Sequence, residues 1–194
     1  MKRFFANILI AVLFPLLTFA QTITSPDNQI KLSVSLTSKG QLQYELSYKG
    51  KEAIKKSGLG FALKDHHNYF SNFEISSSDT SSSLSTWKPV LGEVSEITDH
   101  HKELFVSLVQ KKTDFRLNVR FRVFNDGIGF RYEFPAQKNL SFFIIKQELT
   151  EFAMTEDHTA FWIPGDYDSN EYTYSKTLLS EIKAQTPNSY NFLV

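Results

Sequence analysis

Nine consecutive residues constrain this chain more than any other feature. From Phe115 to Val123, the apolar side chains Phe115, Leu117, Val119, Phe121 and Val123 alternate strictly with Arg116, Asn118, Arg120 and Arg122. A period of two sends the first set to one face of a strand and the second to the other, a separation that a helix cannot make. Asn125-Asp126-Gly127 follows as a hairpin signal, because Asp-Gly tolerates the positive φ of tight turns. Ile128, Phe130, Tyr132 and Phe134 then resume the alternation around Arg131 and Glu133, until Pro135 ends the strand. The same pattern runs through Ile30, Leu32, Val34 and Leu36, and again through Leu42, Tyr44, Leu46 and Tyr48. Turns at Ser38-Lys39-Gly40 and Lys49-Gly50 bound this second pair. Leu104, Val106 and Leu108 predict a further strand, and Phe142 to Ile145, apolar on both faces, is expected between two layers. Only Lys176 to Lys183 has room for two helical turns. The expected fold is all-β, an antiparallel β-sandwich.

Composition agrees where it bears on this. The 18 Phe and 8 Tyr favour half-buried pleated surfaces. The run from Ser76 to Ser83 is polar and low in complexity and reads as a surface loop. With no cysteine, disulfides, thiolate-bound zinc, iron–sulfur clusters and thiol catalysis are excluded. Lysine plus arginine and aspartate plus glutamate both number 21, which argues against a nucleic-acid binder relying on a positive field.

The first twenty residues read as a secretory signal peptide. Lys2 and Arg3 precede an apolar run from Phe4 to Leu17, and Ala20 supplies the small residue before a cut at Gln21. The run is shorter than the ~20 residues of a membrane span. The expected product is a soluble exported domain, periplasmic or secreted, carrying 19 basic and 21 acidic residues and no membrane attachment after cleavage.

Most polar clusters suggest no chemistry. His66-His67 and His100-His101 are adjacent pairs, which on a strand point to opposite faces and do not chelate one ion. Arg116, Arg120 and Arg122 share a face and resemble an anion site, but Glu133 on the next strand offsets them, so a solvated sheet face is the better reading. Asn139-Leu140-Ser141 fits the glycosylation acceptor pattern only weakly. The stretch from Phe161 to Tyr174 differs. Pro164-Gly165 turns the chain after an apolar strand end, and Asp166, Asp168 and Glu171 then interleave with Tyr167, Tyr172 and Tyr174, close to Trp162. Rings beside carboxylates suit a sugar, three acids suit a hard cation such as calcium, and an ordinary polar loop fits the same spacing.

Several long motifs in one order carry a resemblance. They are Thr24-Ser25-Pro26-Asp27-Asn28, Thr86-Trp87-Lys88-Pro89-Val90-Leu91-Gly92-Glu93 with Glu96-Ile97, His100 and Glu103-Leu104, the run from Phe121 to Pro135, and Phe161 to Tyr174 with Leu179-Ser180-Glu181-Ile182. Together they resemble the N-terminal domain of glycoside hydrolase family 97. The resemblance implies a β-super-sandwich of galactose-mutarotase-like topology over residues 21–184, after the signal peptide 1–20 and before a tail, 185–194. It implies exported enzymes of Bacteroidetes-type bacteria that cleave α-glucosidic or α-galactosidic bonds. In such enzymes the sandwich packs on a (β/α)8 barrel bearing the catalytic carboxylates and most of a calcium site, to which one sandwich glutamate, matching Glu171, is added. Leu91 and His101 stand where the family commonly has Trp and Tyr. Because the resemblance stops before the last sandwich strands and the barrel, the chain is expected to be non-catalytic, to meet calcium only within a full enzyme, and to be marginally soluble. A barrel in cis or in trans and an α-linked oligosaccharide are the implied partners. A free-standing carbohydrate-binding module using Trp162, Asp166, Tyr167, Asp168 and Tyr172 is the alternative, as is a docking domain for a separately encoded barrel.

Overall fold

A computed structural model describes residues 20–64, 70–165 and 171–182. The signal segment before Ala20, His66-His67, the acidic residues Asp166 and Asp168 with Tyr167, and the tail 185–194 lie outside the described residues. Among the described residues twelve strands form: β1 Gln21–Thr24, β2 Ile30–Leu36, β3 Leu42–Tyr48, β4 Lys51–Gly58, β5 Phe61–Leu63, β6 Glu74–Trp87, β7 Ile97–Gln110, β8 Phe115–Val123, β9 Ile128–Glu133, β10 Ile145–Glu148, β11 Thr159–Trp162 and β12 Ser175–Leu178. They make two four-stranded sheets, β1-β2-β3-β4 and β6-β7-β8-β9, and two two-stranded pairs, β5-β10 and β11-β12. Every one of these pairings is antiparallel.

Alternation fixes which face is inside. Leu32, Val34 and Tyr44 from the first sheet meet Leu104, Val106, Leu117, Val119, Phe121 and Val123 from the second in one core. Tyr44 of the first sheet lies 6.1 Å from Phe130 of the second, and Phe73, just before β6, lies 5.9 Å from Phe115. Burying residues of this size stabilises by roughly 1.5–3 kcal/mol each before chain entropy is charged. The Tyr44 hydroxyl donates to the Glu151 carbonyl at 2.9 Å, so the segment after β10 is tied to the core.

Turns set the registers. Lys49 (φ 49°) and Gly50 (φ 77°) are both left-handed, as a two-residue I′ hairpin between β3 and β4 requires. Gly40 (φ 67°) is irreplaceable for a second reason: a Cβ there would lie 2.6 Å from the Phe73 nitrogen. The loop between β8 and β9 departs from expectation. It closes through the Phe124 N–H donating to the Gly127 carbonyl at 2.8 Å, and none of its residues is left-handed. With four residues, 124 to 127, between the strands, the loop has no need of positive φ.

Three further expectations are corrected. Ser76 to Ser83 is strand, not loop, part of the fourteen-residue β6 that pairs along β7 from Glu74 to Trp87. Backbone ladder bonds to β7 override weak side-chain propensity, and an edge strand with solvated faces needs no apolar residues. Phe142 to Ile145 is not sandwiched: Phe142 is 77% exposed and Ile145 51%, whereas Phe143 alone packs inward, 4.5 Å from Phe134. Among the described residues β10 pairs only with the three-residue β5, and all four of its residues are exposed. The room for two helical turns from Lys176 is not used among the described residues: Ser175–Leu178 is drawn into β12, and one 3-10 turn, Leu179–Glu181, follows.

Candidate functional site

The aromatic and acidic stretch begins on the β11-β12 hairpin. Thr159 pairs with Leu178, and Trp162 pairs with Ser175, so the two strands run antiparallel over four residues each. Trp162 is half-buried, and its indole N–H donates to Thr177 Oγ1 at 3.0 Å across the hairpin. The polar edge of the ring is therefore committed within the hairpin. Lys176 lies 5.5 Å above the Phe161 ring on the same hairpin. Asp157 fastens its base: the Ser180 hydroxyl donates to one carboxylate oxygen at 2.6 Å and the Ser180 amide to the other at 2.9 Å. Those bonds, hydroxyl first, hold the Asp157 carboxyl below its ordinary range. Glu181 closes the 3-10 turn by accepting the Leu178 amide at 2.9 Å. Neither Asp157 nor its clamp was foreseen from sequence; Asp157 precedes Ser180 by 23 residues, and only the β11-β12 register joins them.

Glu171 and Tyr172 are exposed on the approach to β12. Among the described residues, no three His, Asp or Glu side chains converge on a point where an ion could sit. One carboxylate offers at most two of the ~6–8 oxygens that calcium takes, so the described residues do not make a calcium site by themselves. Of the five proposed sugar contacts, Trp162 and Tyr172 are described and Asp166, Tyr167 and Asp168 are not.

The arginine face of β8 is a second cluster. Arg120 donates from Nε to Glu133 Oε1 at 2.7 Å, and its other arm is bonded to Glu103. Arg122 reaches Glu103 at 3.1 Å, and Arg131 reaches Glu133 at 2.8 Å. Phe105 carries the Arg120 guanidinium 4.5 Å over its ring. The Arg120 and Arg131 bonds, Arg120's first, hold the Glu133 carboxyl below its ordinary range against partial burial. At Glu103 burial pushes upward, but Arg122 and Arg120 outweigh it, and the net shift is down. Glu133 thus offsets the arginines as sequence suggested. Glu103 was missed, although the β7-β8 register places it directly opposite Arg122. Arg116 stands apart, paired with Asp114 at 3.1 Å. The second histidine pair divides as alternation requires, with His101 buried and His100 exposed.

Comparison with known proteins bears on the whole sandwich. The glycosyl-hydrolase 97 N-terminal family model matches residues 23–192. A retaining alpha-galactosidase of Bacteroides thetaiotaomicron is 26% identical over 176 residues, covering 84% of this chain and 25% of that protein. A glycoside hydrolase family 97 enzyme from Pseudoalteromonas sp. strain K8, solved in complex with panose, superposes with a TM-score of 0.76 at 35% identity, over 83% of this chain and 25% of its own. A beta-arabinopyranosidase superposes with a TM-score of 0.68 at 25% identity, over 75% of this chain and 23% of its own. The chain spans about a quarter of the length of the relatives it matches.

Proposed function

This chain belongs to the glycosyl-hydrolase 97 N-terminal family, and on that premise we propose that it is the non-catalytic sandwich module of an exported α-glycosidase. Bond cleavage falls to carboxylates of a (β/α)8 barrel, supplied in cis or as a separate chain. One observation carries this reading: the sandwich superposes on one quarter of a family 97 enzyme, with the remaining three quarters of that enzyme outside the match. Chemistry supports it. Glycoside hydrolysis requires two carboxyl groups held either side of the scissile bond at a fixed separation. Five of the structured acids have other work: Glu103 and Glu133 pair with arginines, Asp157 and Glu181 fasten the β11-β12 hairpin, and Glu151 accepts the Gly58 amide at 2.7 Å.

In this reading the substrate of the whole enzyme is an α-linked oligosaccharide, and Glu171, on the approach to β12, faces the barrel. Glu171 adds one carboxylate to a calcium ion whose other ligands come from the barrel. A chimera tests this, with residues 21–182 replacing the corresponding segment of the Pseudoalteromonas relative. The chimera is expected to hydrolyse in a calcium-dependent way, and Glu171→Gln is expected to raise the calcium concentration needed for half-maximal activity. A folded, active chimera whose calcium requirement is unchanged by Glu171→Gln would remove Glu171 from the site.

A further inference from the structure

The outward face of β7, β8 and β9 is a regular lattice with one position unfilled. Register places Glu103, Arg122 and Gly129 in one row, Phe105, Arg120 and Arg131 in the next, and Ser107, Asn118 and Glu133 in the third. Glycine weakens a strand interior, and it is found there at a bulge, at a sharp bend, or where another backbone or a ligand comes close. The β8-β9 ladder has no register shift. Gly129 is not left-handed, and a Cβ built on it meets nothing within 4 Å. Among the described residues, neither backbone nor packing requires this glycine.

Its missing side chain leaves an open notch of about 150 Å³, bordered by Arg120, Arg122, Phe130 and Arg131. Arg120 spends its fork on Glu133 and Glu103. Arg122 and Arg131 commit only Nε, to Glu103 and Glu133 respectively, and their terminal amino groups make no further hydrogen bond among the described residues. Three guanidinium groups therefore face two carboxylates, leaving one positive charge over the notch. Arg122 and Arg131 are diagonal neighbours on adjacent strands, a separation of roughly 7–8 Å that long side chains bridge easily.

We infer that the Gly129 notch binds one carboxylate, held between the terminal amino groups of Arg122 and Arg131. A planar carboxylate is one of the anions whose geometry matches arginine forks, and the small floor lets it approach the sheet backbone. The carboxylate comes from an acidic side chain of another polypeptide segment or from a free sugar acid. The site stands independently of the proposed function, since it rests on β7, β8 and β9 alone.

Arginine side-chain N–H resonances of residues 21–194, followed by NMR at constant ionic strength, test it. Titration with acetate is expected to give saturable shifts at Arg122 and Arg131 with Arg116 unmoved. Arg122→Gln or Arg131→Gln should weaken binding severalfold or more. Gly129→Val should abolish it by filling the notch while leaving the melting temperature equal or higher, because a β-branched residue suits a strand. N-acetyl-glutamyl amide and glucuronate separate the sources: tighter binding of the first assigns the site to a polypeptide, and of the second to a sugar acid. Parallel, unsaturable drift of Arg116, Arg122 and Arg131 would overturn the inference, as would wild-type affinity in folded Gly129→Val.

Discussion

Arg120 is the residue on which both carboxylates of the second sheet's outer face converge. Its two partners differ in exposure, with the Glu103 side chain at 13% and that of Glu133 at 25%. Removing the guanidinium leaves Glu103 with Arg122 alone and Glu133 with Arg131 alone, so Arg120→Gln should cost about 1–2 kcal/mol in urea unfolding at pH 7, less than a fully buried pair because water reaches this face. The pH dependence follows from both carboxyls lying below their unfolded values. In that state the folded chain binds fewer protons than the unfolded one, so the stabilisation is complete above about pH 5 and is lost as pH falls through the folded pKa values. Wild type should therefore lose more stability than Arg120→Gln as pH is lowered from about 5 to about 3. Tyr44 makes a separate case. Burial pushes its hydroxyl up to about 12, so it remains a donor to the Glu151 carbonyl at all ordinary pH. Tyr44→Phe should lower stability by about 1 kcal/mol, read from the same unfolding curves. Single residues were legible where alternation decides the matter: Phe121 was assigned inside and Arg120 outside from sequence, and both are. Glu103 and Asp157 were not, because their partners are brought to them by strand register, which residue spacing does not encode.

At the scale of elements, the hairpins β2-β3 and β8-β9 stand where the period-two runs predicted them. Ser76 to Ser83 lacks any apolar pattern, and its strand exists because β7 offers a free edge, so the information lies in the partner. The β6-β7 pair also outruns the sheet: β8 joins β7 only from Lys102 onward, while β6 and β7 remain paired out to Trp87 and Ile97. Beyond that ladder Val90 is 98% exposed and Leu91 89%. Hydrogen exchange should rank these elements. Amides of β8, bonded on both sides and lined with Phe115, Leu117, Val119 and Phe121, should exchange slowest. Those of the two-stranded β11-β12 hairpin and of the outer arm, residues 83–87 with 97–101, should exchange first, since few buried contacts oppose their opening.

The described residues combine one buried core with a surface rich in exposed apolar groups, among them Leu84, Trp87, Val90, Leu91, Phe142, Ile145, Phe152 and Phe161. Scattered apolar residues are ordinary on a protein surface, but a projecting apolar tip is a point of association. Light scattering at rising concentration should detect self-association of residues 21–194, and Val90→Ser with Leu91→Ser should reduce it. A single sharp, reversible melting transition with no oligomer would contradict that expectation. The sandwich class could be read from sequence because a period of two admits few other folds; the assignment of the loop between β11 and β12 could not, because acids and rings at that spacing suit a sugar, a cation or solvent equally well. The most direct test of the account is turnover. Purified residues 21–194, incubated with aryl α-glucosides and α-galactosides with and without calcium, should release no aglycone above a buffer blank. Calcium-stimulated release that persists through further purification would contradict it.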